Sequence, residues 1–334
     1  MTPSFLNFRT RNFITRNSKP RILKTIIFSF GLSLLTACGA DSDSLSLDDS
    51  SGEQSTLQDN SRTISGLAMK GIIRNGLVSV YAISNGSVGE LLGSGSTDDA
   101  GDYRVYIDED YEGAIQIIIS AKTNSDSEMV CDAANGCGSY DASSPLDLNG
   151  NGSIDFGEAF VLNHDFELSA VVASNNAATV TVNVTTVTHM AARYAATLPN
   201  GLHSDGIEAA NSQIAQLFNL SGDLPSLTLI DLTRAADRGD AEADDLMYSL
   251  IASAVAAMSD HDTLVTQIDQ LAQTFADHNG QLILNGEHSE ITLEALLQEA
   301  THLADLLELN APSTNLSQHE LIPVTASIAN RYSQ

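Results

Sequence analysis

The chain has 334 residues, 43% of them hydrophobic and 5% aromatic, with 15 basic residues against 43 acidic ones for a formal charge of −28. So acidic a chain excludes nucleic acid as a partner, because phosphate backbones demand Lys and Arg, and it excludes electrostatic docking on anionic headgroups. The lack of Trp and the few aromatic residues argue against a platform that stacks carbohydrate.

Arg9, Arg11, Arg16, Lys19, Arg21 and Lys24 open the chain with no acidic residue among them, and a short apolar run, Thr25 to Leu35, leads to Thr36-Ala37-Cys38. A basic start, a brief apolar stretch and small residues at a cut site describe a secretory signal. The run is too short to span a bilayer, which needs about 20 apolar residues. Leu35-Thr36-Ala37-Cys38 resembles the lipobox of bacterial lipoproteins, and a plain signal peptide that happens to contain a cysteine is the alternative. The resemblance implies that residues 1–37 are removed, that the Cys38 thiol takes a diacylglycerol and that the new amine is acylated. Two or more chains at about 0.8 kcal/mol per buried methylene make a near-permanent anchor. Gly39, where the inner-membrane sorting signal would place Asp, favours the outer membrane by the same resemblance, on its periplasmic side or at the cell surface. Nine basic and 43 acidic residues remain after the cut, a formal charge of −34, with Lys70 and Lys122 the lysines left.

Residues 38–62, the lipidated cysteine followed by a Ser-, Asp- and Gly-rich tract, have almost nothing to bury and are expected to be a flexible stalk. From Thr63 the texture becomes that of strands: Thr63 to Met69, Leu77 to Ile83, Glu90 to Thr97, Tyr103 to Asp108 and Ala114 to Ala121 are short, apolar and β-branched. Lys70-Gly71, Asn75-Gly76, Asn85-Gly86, Asp99-Ala100-Gly101 and Glu112-Gly113 supply turns between them. This spacing predicts an antiparallel β-sandwich over 63–185. The stretch from Ser65-Gly66 through Gly71 to Tyr81, with Thr97-Asp98-Asp99-Ala100-Gly101-Asp102-Tyr103, resembles the carboxypeptidase-regulatory-like, or transthyretin-like, domain. That resemblance covers about 60 residues and implies a fold without a reaction, since no catalytic or metal-binding residue of a carboxypeptidase comes with it.

Residues 147–158 read Asp147-Leu-Asn149-Gly-Asn151-Gly-Ser153-Ile-Asp155-Phe-Gly-Glu158 and fill every constrained position of D-x-[DN]-x-[DN]-G-x5-E, the EF-hand-type calcium loop. Side-chain oxygens of Asp147, Asn149 and Asn151 can converge on a hard cation while Gly152 allows the reversal. The Ser153 carbonyl, Asp155 and a bidentate Glu158 complete the set. Ile154 is expected to pin the loop to the core. With amides at two positions the affinity for calcium is expected to be modest, roughly 10⁻⁴ to 10⁻³ M. Residues 131–146 are rich in Gly, Ser, Asp and Pro, so no helix leads in, and 159–172 alternate like a strand. Calcium in such a β context is expected to brace and not to switch.

Cys131 and Cys137 are the other two cysteines. Outside the cytoplasm one disulfide is favoured over two free thiols, and neither spacing nor a nearby His supports zinc. The excursion 131–158 would then carry both a disulfide and a cation.

After Thr179 to Val184 the period becomes helical over 186–334. Val184-Thr185-Thr186-Val187-Thr188-His189-Met190-Ala191-Ala192 resembles a T-P-L-T-x-L-A-A junction of bacterial lipoproteins of this layout, with Thr186 where the junction has Pro. The threonines are candidate caps. Four further helices are predicted by apolar residues three and four apart. They run through Ile207 to Leu217 behind Ser204 and Asp205, Leu246 to Met258, Leu264 to Phe275 before Asn279-Gly280, and Leu293 to Leu307. The expected fold class is α+β, an N-terminal antiparallel sandwich followed by a C-terminal helical bundle.

No nucleophile motif, zinc-protease motif or phosphate loop is present, and His261, His278, His288, His302 and His319 are expected in solvent. His189 stands in a more marked setting and reads as a packing or capping residue. The acids Asp231, Asp237, Asp240, Glu242, Asp244 and Asp245 read as a solvated helix start. The expectation is a non-catalytic, calcium-braced envelope module that binds an unidentified envelope protein or surface polymer. The alternative is an envelope hydrolase with its site between the sandwich and the helices.

Overall fold

Strict alternation builds the strands. In β5 (Asp102–Asp108) Tyr103, Val105 and Ile107 turn inward and their neighbours outward, and β6 (Ile115–Ser120) does the same with Ile115, Ile117 and Ile119. The computed structural model describes residues 61–310 except 124–126, 142–143, 175, 240, 256, 258–260 and 283–291. Cys38, the stalk before Ser61, His288 and His319 lie outside the described residues.

An antiparallel sheet is ordered β4 (Ser87–Ser96), β3 (Leu77–Ser84), β6 and β9 (Glu167–Val172), with Val80 opposite Ile117 and Ile117 opposite Ala170. The β3–β4 hairpin closes through Asn85 and Gly86, at φ 54° and 73°. Two positive φ values in a two-residue loop match the right-handed twist of the paired strands. A second sheet centres on β1 (Ser61–Met69), which pairs antiparallel with β5 and parallel with β10 (Thr179–Thr181) and β11 (Val184–Thr185). A third, small sheet is ordered β2 (Ile73–Arg74), β7 (Glu128–Val130) and β8 (Ala159–Val161).

Two features differ from the sequence expectation. The returning chain β10–β11 joins β1 in parallel, broken at Val182-Asn183, where Gly66 sits so close that a Cβ would lie 1.9 Å from the Val182 carbonyl oxygen. Asn183 replaces the missing ladder there: its Oδ1 accepts from Leu67 N–H at 2.8 Å and its Nδ2 donates to the Leu227 carbonyl at 2.7 Å. Residues 159–172 do not form one strand. Asn163-His164-Asp165 turns the chain, so β8 joins β7 while β9 joins β6.

Six α-helices and one 3₁₀ turn (Leu224–Ser226) follow among the described residues: α1 Thr186–Thr197, α2 Ser204–Leu217, α3 Ala235–Gly239, α4 Ala243–Ala254, α5 Leu264–Asp277 and α6 Leu293–Asn310. Thr185 caps α1 in a reciprocal box with Thr188, one hydroxyl accepting from N–H at each end. Helix α2 starts differently: His203 is its cap residue without a side-chain bond, and Ser204 Oγ instead pairs with Ser174 Oγ at 3.0 Å. Asn279 and Gly280, at φ 54° and 78°, end α5, with Gly280 N–H donating to the Phe275 carbonyl at 2.9 Å. The small buried face of α1, Ala191, Ala192 and Ala195, lets it lie against β9, α2 and α5. Buried apolar residues run without interruption from Ile64 in β1 to Leu307 in α6. No helix among the described residues is long and apolar enough to cross a membrane.

Candidate metal centre

The loop 147–158 hangs between β7 and β8 and is wound by its own side chains. Asp147 accepts from Gly150 N–H through Oδ1 at 2.7 Å and from Gly152 N–H through Oδ2 at 2.9 Å. Asn149 Oδ1 accepts from Asn151 N–H at 2.9 Å, and Asn151 Oδ1 from Ser153 N–H at 2.7 Å. These successive Asx turns, with Gly150 and Gly152 at φ 72° and 77°, coil the backbone so that the side chains of alternate residues share one side. Asp155, Glu158 and the two asparagines are knitted together. Asn149 Nδ2 donates to Asp155 Oδ2 at 2.9 Å and to Glu158 Oε1 at 3.1 Å, and Asn151 Nδ2 donates to Asp155 Oδ2 at 2.8 Å. Glu158 Oε2 also accepts from Asp155 N–H at 3.0 Å. An amide hydrogen therefore lies where two carboxylates face each other, the position that favours positive charge. Each asparagine oxygen has a second lone pair beyond the one its N–H partner uses. Among the described residues no three His, Cys, Asp or Glu side chains gather in the manner of a metal site, these three carboxylates included. In donor type, the carboxylates, amide oxygens and Ser153 carbonyl are those that a hard cation such as calcium takes.

The loop is held from behind by a disulfide. Cys131 and Cys137 are bonded, with Cα atoms 5.8 Å apart. Cys131 N–H donates to the Glu158 carbonyl at 2.7 Å, and Gly157 N–H donates back to the Cys131 carbonyl at 2.8 Å. Cys137 N–H donates to the Ile154 carbonyl at 2.8 Å, and Ile154 N–H to the Gly138 carbonyl at 2.9 Å. Ile154, 1% exposed, enters the main core from this ladder. A small disulfide-closed hairpin thus supplies the pairing strand that the loop needs.

Tyr140 was not foreshadowed by any motif. Its hydroxyl lies 2.7 Å from the Ala159 carbonyl and 3.0 Å from that of Leu146, spanning the two ends of the loop. Burial, and then the negative charges of Glu158, Asp147, Asp155 and Glu128, push its phenol up to about 12. The phenol therefore stays a neutral hydrogen-bond donor at any physiological pH.

His189 is buried at the start of α1. Its Nδ1 accepts the backbone N–H of Ser169 in β9 at 3.1 Å, with Ser169 Oγ also 3.1 Å away, and its Nε2 faces Asp269 of α5 at 3.6 Å. The neighbouring His189 imidazole, and then Arg193, hold the Asp269 carboxyl below the ordinary range against partial desolvation. Because a main-chain N–H claims Nδ1, the imidazole ties strand to helix. His278 and His302 are exposed as expected, but His261 is only 23% exposed, its ring packed 5.7 Å from Phe160 and its backbone N–H donating to the Cys137 carbonyl. Asp244 and Asp245 occupy the first turn of α4, and Asp231 Oδ1 accepts from Thr233, so these acids serve helix starts and a turn. Burial and the neighbouring Glu242 and Asp244 raise the Asp245 carboxyl.

No family model and no curated protein matches the chain. A 9R-lipoxygenase from Cyanothece PCC8801 matches at 13% identity over 37% of this chain and a TM-score of 0.20. The match spans 16% of that lipoxygenase, and a likeness so slight carries no argument.

Proposed function

We propose that this chain is an outer-membrane lipoprotein, anchored through Cys38, whose folded part is a non-catalytic binding module braced by calcium at 147–158. In this reading the two larger sheets are the layers of a transthyretin-like sandwich, the helices form a bundle on its open side, and residues 38–62 are a tether. The partner would be an envelope protein or a surface polymer. The observation that carries the reading is the junction of loop and hairpin: the calcium pattern is complete, and its Ile154 and Glu158 are hydrogen-bonded to a disulfide hairpin that leads into the core. Asp147, Asn149, Asn151, Ser153, Asp155 and Glu158 would hold the ion, which supplies fixed positive charge and no chemistry. At ten times a dissociation constant of about 1 mM, binding adds roughly 1.4 kcal/mol. That is a rise in melting temperature of about 3–5 °C for a domain of this size. The rise should be absent in magnesium and absent when Asp147 and Glu158 are both changed to Ala. No rise at millimolar calcium, or an equal rise in the double variant, removes calcium from the proposal. Incorporation of labelled palmitate into wild type and not into Cys38→Ala tests the anchor.

One observation favours the hydrolase reading, the succession Ser169, His189, Asp269. Ser169 is 2% exposed and shares Nδ1 with its own backbone N–H, which suits a structural tie better than a nucleophile. Labelling of Ser169 by a fluorophosphonate probe would reverse that preference.

A further inference from the structure

Lys70 and Asp132 meet in the buried interior. The Lys70 side chain is 0% exposed and that of Asp132 4% exposed, and Nζ contacts Oδ1 directly. Asp132 Oδ2 accepts Gly71 N–H at 2.6 Å. The two chain segments are clamped to each other around the pair. Val130 N–H donates to the Ile72 carbonyl at 3.0 Å, Ile73 pairs with Met129, and Gly71 lies so near Val130 that a Cβ would stand 1.8 Å from its carbonyl oxygen. Met69, Ile72 and Val130 pack as an apolar cluster beside them.

As an ion pair this arrangement is poorly matched. An ammonium carries three N–H donors and a full charge, and among the described residues Asp132 Oδ1 is the acceptor that Nζ has. Buried charges demand that their remaining donors be satisfied, and leaving them open is costly. A secondary amide in the same place carries no charge and one N–H.

We propose that Lys70 and Asp132 are joined by an intramolecular amide bond between Nζ and Cγ. One proton passes from Nζ to Oδ1, which frees the amine lone pair. The amine lone pair then attacks Cγ while Gly71 N–H stabilises the charge developing on Oδ2. A second Nζ proton goes to Oδ1, the Cγ–Oδ1 bond breaks and water leaves. Oδ2 remains as the amide oxygen, still accepting from Gly71. Nothing beyond the two side chains is consumed. Holding the two groups together makes the condensation intramolecular, and well-oriented intramolecular pairs reach effective concentrations of about 10⁵–10⁸ M, while the same burial keeps water from reversing the step. The product covalently joins the end of β1 to the hairpin that backs the 147–158 loop. The inference is independent of whether that loop binds calcium.

The test is peptide mapping of the full chain purified from membranes under native conditions, then reduced, alkylated and digested with trypsin. An amidated Lys70 resists cleavage, so residues 63–74 should be recovered joined to residues 123–193, lighter than the two separate peptides by one water. Lys70→Arg should release the 123–193 peptide alone, and Asp132→Asn should form the same link with loss of ammonia in place of water. Cleavage after Lys70 in the wild-type protein, with both peptides free, would overturn the proposal whatever the variants do.

Discussion

Replacing both Cys131 and Cys137 with Ser should weaken calcium binding at a site that contains neither residue. The disulfide closes a loop of sequence separation 6. By chain entropy, closing so short a loop is worth about 2 kcal/mol. Four backbone hydrogen bonds, at 2.7, 2.8, 2.8 and 2.9 Å, join that hairpin to Ile154, Gly157 and Glu158 of the loop. Without the crosslink, the hairpin must be ordered at the moment the ion binds, and the ordering free energy is subtracted from the binding free energy. If half or more of it is transferred, the dissociation constant rises about 5- to 30-fold, within the ordinary range of coupling between linked sites. Calorimetric titration of oxidised wild type and the double Ser variant, both checked for retained secondary structure, measures this. Coupling is reciprocal, so saturating calcium should shift the thiol–disulfide equilibrium of wild type toward the disulfide by the same factor. Equal affinities within twofold, with a thiol–disulfide equilibrium indifferent to calcium, would refute the coupling. If wild type binds no calcium at all, it is the metal assignment that fails.

Three further outcomes follow from particular contacts. Ile154→Ala removes a buried anchor (1% exposed) and should cost about 2–5 kcal/mol, lowering the melting temperature by roughly 5–15 °C and abolishing the calcium-dependent rise. Gly66→Ala places a Cβ 1.9 Å from the Val182 carbonyl and should open the junction of β1 with β10 and β11, seen as early amide exchange at Leu67 and Asn183; wild-type protection there would contradict the packing. Asp269 has a folded pKa below its unfolded value, so its stabilisation is present above the unfolded pKa of about 3.9 and is lost as pH falls through the folded value. The carboxylate is 57% exposed, so the stability gap between wild type and Asp269→Asn should be small at neutral pH and close in acid. A gap that widens in acid would show the sign to be wrong.

Much of the local structure is legible in the sequence because it depends on neighbours in the chain. Alternation in Tyr103 to Ile107 and Ile115 to Ile119 reports which side of a strand is buried. Asn85-Gly86 reports a turn that needs two positive φ values, and the threonines before Val187 report a helix start. The Asx and Gly spacing of 147–158 already contains the turns that wind the loop, since each is a bond to an N–H two to five residues ahead. The split of 159–172 is not legible in the sequence, because alternation continues across Asn163-His164-Asp165 while the partner strand changes.

What the tertiary structure decided has no local cause. The parallel course of β10 and β11 beside β1 depends on Gly66 meeting Val182, 116 residues away, and His189 meets Asp269 80 residues on. Lys70 and Asp132 are each unremarkable in sequence, a lysine before a glycine and an acid after a cysteine. They become a buried pair only because Ile72 and Val130 are hydrogen-bonded across two strands. By itself the sequence determined the lipobox-like pattern before Cys38, the acidic charge, the strand and helix periods and the oxygen pattern of the loop, all of which are short-range or compositional. Which strands pair, what backs the loop and which charges are shut from water are properties of packing, and packing joins residues that the chain keeps far apart.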